Sequence, residues 1–129
     1  MKNIVIIGGT KGIGKSIVSE VVENHKVVCL SRNQTDFSHD NYTFHNFDAL
    51  VDDYPDFESV DCLIYCPGSI NLKPISTLSL DDFRNDFELN VIGAVRAIKK
   101  YLNLLKKSGS ASILLFSTVA TKLGMPYHA

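Results

Sequence analysis

Two periods of hydrophobicity alternate along this chain. Ile4-Val5-Ile6-Ile7 is an uninterrupted β-branched run that ends in a glycine cluster, the pattern of a buried strand. Inside the cluster the period changes. Ile13, Ile17, Val18, Val21 and Val22 recur at helical spacing with Lys15, Ser19, Glu20 and Glu23 between them, which predicts an amphipathic helix fading near Asn24-His25. Residues 26–30 predict a second buried strand, and residues 31–36 a polar loop. Residues 42–47 form a more mixed strand, as an edge position tolerates. A short segment around Tyr54-Pro55 is a loop or one helical turn, and residues 60–66 predict a fourth strand stopped by Pro67-Gly68. Ser79 with Asp82 makes an approximate capping box. From there Leu80, Phe83, Phe87, Val91, Val95, Ile98, Leu102 and Leu105 advance by threes and fours. They predict one long amphipathic helix, interrupted near Asn90 and ending at Lys106-Lys107, before a fifth strand at residues 112–116.

Short apolar strands alternating with helices predict an α/β fold, a doubly wound parallel sheet with right-handed crossovers. The expected strand order is 3-2-1-4-5, with a ligand at the carboxyl ends where the order reverses. Gly8 to Gly14, Ser31-Arg32, Asp48, Cys66-Pro67-Gly68 and Ser117-Thr118 all follow predicted strands, so they converge on one edge.

Composition narrows the classes. With 129 residues and 45% hydrophobic composition the chain suffices for one domain and not two. A formal charge of −1 offers no basic field for nucleic acid. The four apolar residues before Gly8 are too few for a signal peptide or a membrane span. Cys29, Cys62 and Cys66 read as free thiols, not a metal site, since no histidine lies at ligand spacing; this suits a reducing, cytoplasmic compartment.

The glycine cluster matches two phosphate-binding patterns. Residues 9–16 read GTKGIGKS, the triphosphate loop of P-loop NTPases, in which Lys15 and Ser16 would reach phosphate and magnesium. Such an enzyme wants an apolar strand ending in an acid, yet only the mixed third strand is followed by one, Asp48. Gly8, Gly12 and Gly14 instead spell a dinucleotide turn. An acid at the end of the second strand would hold a ribose hydroxyl; Ser31 and Arg32 stand there, and Lys11 lies within the turn. Two cations without a carboxylate favour NADP(H) over NAD.

On these residues the chain resembles the classical short-chain dehydrogenase/reductase family from Ile4 to about Ala120. The family's glycine motif appears as Ile7-Gly8-Gly9-Thr10-Lys11-Gly12-Ile13-Gly14, with isoleucine for its threonine. Its aspartate that meets adenine corresponds to Asp48, beside Ala49. Its N-N-A-G turn corresponds to Tyr65-Cys66-Pro67-Gly68, where only the glycine is kept. The resemblance implies a Rossmann-like sheet and catalytic roles for Asn90 in the long helix and for Thr118, with Ser117 before it, after the fifth strand. It implies cofactor contacts at Gly8, Thr10, Lys11, Gly12, Ile13, Gly14, Ser31, Arg32, Asp48, Ala49, Cys66 and Gly68.

The activity implied is NADP-dependent oxidoreduction, hydride transfer between nicotinamide and a small-molecule carbonyl or alcohol, by a homo-oligomer without nucleic-acid or membrane partners. The family's acid is a tyrosine followed one helical turn later by a lysine, and by family spacing both fall beyond Ala129. Tyr127 has no lysine after it and reads as a loop aromatic. The expectation is a cofactor-binding domain without the final strands of the sheet, inactive by itself and prone to associate through its fifth strand. The alternative is a non-catalytic remnant that binds a nucleotide or another subunit.

Overall fold

The structure, a computed structural model, describes residues 1–129. Five strands form one sheet: β1 (Asn3–Ile7), β2 (Lys26–Ser31), β3 (Tyr42–Asn46), β4 (Cys62–Tyr65) and β5 (Ser112–Leu115). Their order is β3-β2-β1-β4-β5 and every neighbouring pair is parallel, as the strand and helix periods predict. β1 is central because all its apolar side chains can be covered from both sides. Ile4 and Ile6 face Val18 of α1 (Gly12–Val21) and Val22 at its C-cap, together with Val27 and Ile64. Val5 and Ile7 face the other way, into a cluster with Leu30, Leu63, Tyr101 and Leu105. Alternation of successive side chains across the sheet thus serves two cores. β3, with no buried residue, lies at one edge.

The second half of the chain departs from the expected single helix. α2 (Leu80–Phe87) starts at a complete capping box: Ser79 Oγ accepts the Asp82 amide at 3.1 Å, and Asp82 Oδ2 accepts the Ser79 amide at 2.9 Å. A five-residue π-turn, Glu88–Ile92, then separates it from α3 (Gly93–Ser108), which ends at Gly109 in the left-handed conformation (φ 73°). The interruption falls at Asn90, where the sequence places it.

The buried face is not the row of large apolar residues. Phe83, Phe87, Val91, Val95 and Leu102 are exposed, whereas Gly93, Ala94, Ala97, Tyr101 and Leu105 are buried. Small residues let α3 approach the sheet, and Tyr101 anchors it through its hydroxyl on the Pro55 carbonyl at 2.9 Å. Bulk along a helix marks its apolar side; the closest approach to a sheet is set by its smallest residues. β5 pairs only with β4 and its side chains are exposed. No helix is long and apolar enough to cross a membrane.

Asp61, just before β4, ties three elements together. Its carboxylate accepts the Asn3 amide of β1 at 2.7 Å and the Ser108 hydroxyl at the end of α3. The Asn3 amide, then the Ser108 hydroxyl, hold its carboxyl below the usual aspartate range. A depressed folded-state value contributes stability above the unfolded value, lost as pH falls through the folded one. Asp61→Asn is therefore expected to cost roughly 1 kcal/mol at neutral pH, the worth of a partly solvated charge-assisted hydrogen bond. In urea unfolding the difference from wild type should shrink as the pH is taken below about 3.8, toward pH 2. A pH-independent difference would show that the charge contributes nothing.

Candidate functional site

All five strands deliver their carboxyl ends to one edge, and a cleft of about 390 Å³ opens there between β1 and β4, where the strand order reverses. Gly8 forms its floor against β4; a Cβ there would lie 3.3 Å from the Cys66 Cβ and from Pro67. The N-terminus of α1 overhangs the cleft. Its N-cap, Lys11, is extended (φ −151°) and no side chain caps the first turn, so the leading amides point out unpartnered. Gly12 has φ 55°, which favours glycine, with open space where a Cβ would stand. At Gly14 a Cβ would overlap the Gly8 carbonyl oxygen and lie 3.0 Å from the Gly9 Cα. The turn therefore presses helix onto strand and leaves room above for an anion.

On the β2 side of the cleft stand Ser31, Arg32 and Asn33, and Lys11 lines it from the glycine turn. Ser31 is buried and Arg32 exposed, its carbonyl held by Asn46 Nδ2 at 2.7 Å. Asp48, Ala49 and Leu50 close this side. Asp48 Oδ1 accepts the Leu50 amide at 2.9 Å, while Arg96 of α3 donates to the Ala49, Leu50 and Asp52 carbonyls at 3.2 Å each. Arg96 thus fixes a turn more than forty residues upstream. No local signal announces this, because its partners are backbone oxygens.

At the other end, Cys66, Pro67, Gly68, Leu89 and Phe116 make the wall. Burial, then the neighbouring Cys29, pushes the Cys66 thiol up to about 11, so it stays protonated and acts as an apolar surface. Every one of the glycine-turn, Ser31-Arg32, Asp48-Ala49, Cys66 and Gly68 positions singled out from the sequence, Thr10 and Ile13 among them, lines the cleft. Lys15 and Ser16 do not: Lys15 is exposed on α1, and the Ser16 hydroxyl turns back to the Gly12 carbonyl at 3.4 Å. Neither side chain meets the cleft as the lysine and hydroxyl of a triphosphate loop would.

The three polar residues assigned to catalysis lie just outside the lining. Asn90 spends its carboxamide on one backbone unit, accepting the Ser69 amide and donating to the Ser69 carbonyl, both at 2.8 Å. Asp86, one turn earlier, accepts the Ser69 hydroxyl at 2.6 Å and Asn71 Nδ2 at 3.1 Å. Asn90 is accordingly a latch on the loop after β4, and Asp86, Ser69 and Asn71 are partners the sequence reading missed. The i, i+4 spacing of Asp86 and Asn90 along the helix was the available signal. Ser117 and Thr118 are exposed beyond β5, and Thr118 Oγ1 accepts the Ala120 amide at 3.2 Å. Tyr127 is exposed in a left-handed turn (φ 60°).

The fold agrees with known proteins. The family model described as "short chain dehydrogenase" matches residues 37–129. A benzil reductase of Bacillus subtilis is 32% identical over 110 residues, covering 74% of this chain and 45% of the reductase. ElxO with NADP bound superposes with a TM-score of 0.84 at 23% identity, over 99% of this chain and 60% of ElxO. A Leptospira borgpetersenii short-chain dehydrogenase with bound NAD+ gives 0.82 at 19%, over 96% of this chain and 54% of that one. The chain thus spans about half the length of these relatives. With the parallel sheet, the glycine turn and the match over residues 37–129 together, this chain belongs to the short-chain dehydrogenase family.

Proposed function

We propose that this cleft binds a nicotinamide dinucleotide, NADP(H) in preference to NAD(H), for oxidoreduction of a small carbonyl or alcohol compound. The observation that carries the preference is that Lys11 and Arg32 both line the cleft, with no carboxylate at the end of β2. Both cations are exposed, as binding a solvent-facing ribose phosphate requires, and an aspartate in their place would repel it. The unpartnered amides of α1 and the open face of Gly12 fit a pyrophosphate; Asp48 and Ala49 fit an adenine edge. The relatives bound to NADP and to NAD+ support the cofactor class and leave the choice to these side chains.

The nicotinamide, when bound, supplies or accepts the hydride. This chain's residues orient it. Cys66, Pro67 and Phe116 exclude water at the wall, and Asn90 holds the Gly68-Ser69 backbone in place. The Ser117 and Thr118 hydroxyls supply the donors that would polarise a substrate oxygen. The exposed row Phe87, Val91, Val95 and Leu102 along α2, the π-turn and α3 supports self-association, as an apolar face of this length does.

Titration with NADPH and NADH tests the preference. Arg32→Asp should shift the affinity ratio toward NADH by about 1–3 kcal/mol, toward the lower end because the site is solvent-screened. Equal loss for both cofactors would remove Arg32 from 2′-phosphate recognition.

The second test separates the two phosphate-binding patterns. Lys15→Ala is expected to leave NADPH affinity within about twofold, the scatter of a surface substitution. Magnesium-dependent ATP binding that vanished with this change would contradict the proposal.

A further inference from the structure

Tyr65, the last residue of β4, reaches out of the sheet into the π-turn. It is buried, and its hydroxyl donates to the Leu89 carbonyl at 2.6 Å. Directly against it stands Gly93. A Cβ at that position would overlap the phenolic oxygen and lie 3.1 Å from Cζ, so the phenol occupies the space that a side chain at 93 would take. In an α-helix the Gly93 amide would bond to the Leu89 carbonyl; here it goes to the Glu88 carbonyl. The Leu89 carbonyl receives the tyrosine proton instead.

Asn90 follows immediately, with both carboxamide atoms on Ser69. Tyr65 and Ser69 belong to one strand exit, Leu89 and Asn90 to one helical turn. Three hydrogen bonds therefore close a ring between them. Burial, the largest influence, pushes the Tyr65 phenol up to about 12, so it remains a donor across the working range.

We infer that Tyr65, seated in the notch of Gly93, is a positioning residue: it holds the π-turn open, orients Asn90 and through it sets the Gly68-Ser69 backbone at the cleft wall. Tyr65 stands where the family pattern has an asparagine, and the contact gives that departure a use. Its consequence for ligands rests on the dinucleotide reading above; the coupling between Tyr65 and Asn90 does not.

Tyr65→Phe in the full chain keeps the ring and removes only the donor. Amide hydrogen exchange at Ser69 and at residues 89–94 is expected to quicken about three- to tenfold, the range for one lost hydrogen bond. The Asn90 carboxamide resonances should move toward free-amide positions. NADPH should bind correspondingly more weakly, whereas 2′,5′-ADP, which reaches only the adenosine end, should bind as before. Gly93→Ala should open the same segment in the wild-type background and add less in the Tyr65→Phe background, where the oxygen is gone. Unchanged exchange at Ser69 and unchanged Asn90 resonances in Tyr65→Phe would overturn the inference, leaving the phenol a core filler. Equal weakening of NADPH and 2′,5′-ADP would also overturn it, because the effect would not be confined to one end. Should the wild type bind neither ligand, the dinucleotide reading falls, while exchange and resonances still decide the role of Tyr65.

Discussion

The contact between Gly14 and the Gly8 carbonyl governs the rest of the site. Alanine is favoured over glycine within a helix by about 1 kcal/mol, but overpacking a tight contact costs about 1–3 kcal/mol. Here the crowding partner is backbone, which cannot rotate away, so the steric cost prevails. Because position 14 carries no side chain, α1 begins directly over the end of β1. Its free amides then face the crevice where the strand order reverses. Lys11, the N-cap, lines the same cleft as Arg32.

One helical assembly braces both ends of the cleft. Arg96 of α3 gathers three carbonyls of the turn after Asp48. Asn90 in the π-turn and Asp86 at the end of α2 hold the loop after β4. The two loops never touch in sequence, yet a single run of helix sets both. The widened turn lets them share it, since an extra residue in the turn changes the direction in which preceding side chains project relative to following ones. The apolar wall, including a thiol kept protonated by burial, belongs to the end that Asn90 and Asp86 brace.

Much of this was legible in the residues. Strand positions, the strand order and the cleft-lining residues of the glycine turn, of Ser31-Arg32 and of Asp48-Ala49 follow from local period and from the rule that parallel strands end together. The break at Asn90 was legible because a polar amide interrupts an apolar stripe. The face that α3 buries was not: large apolar residues suggested one side, while Gly93, Ala94 and Ala97 bring a neighbouring side against the sheet.

By itself the sequence determined the topology, the glycine turn and the two cations that line the cleft, because each depends on residues near one another along the chain or on periodicity. The roles of Arg96, Asp86 and Tyr65 were decided only in the tertiary structure. Their partners are backbone groups from 24 to 47 residues away, or in the case of Asp86 side chains on the loop after β4. A carbonyl carries no sequence identity; which one a side chain meets depends on how closely helix and sheet pack. At Tyr65 that distance was set by the absence of a single methyl group at Gly93.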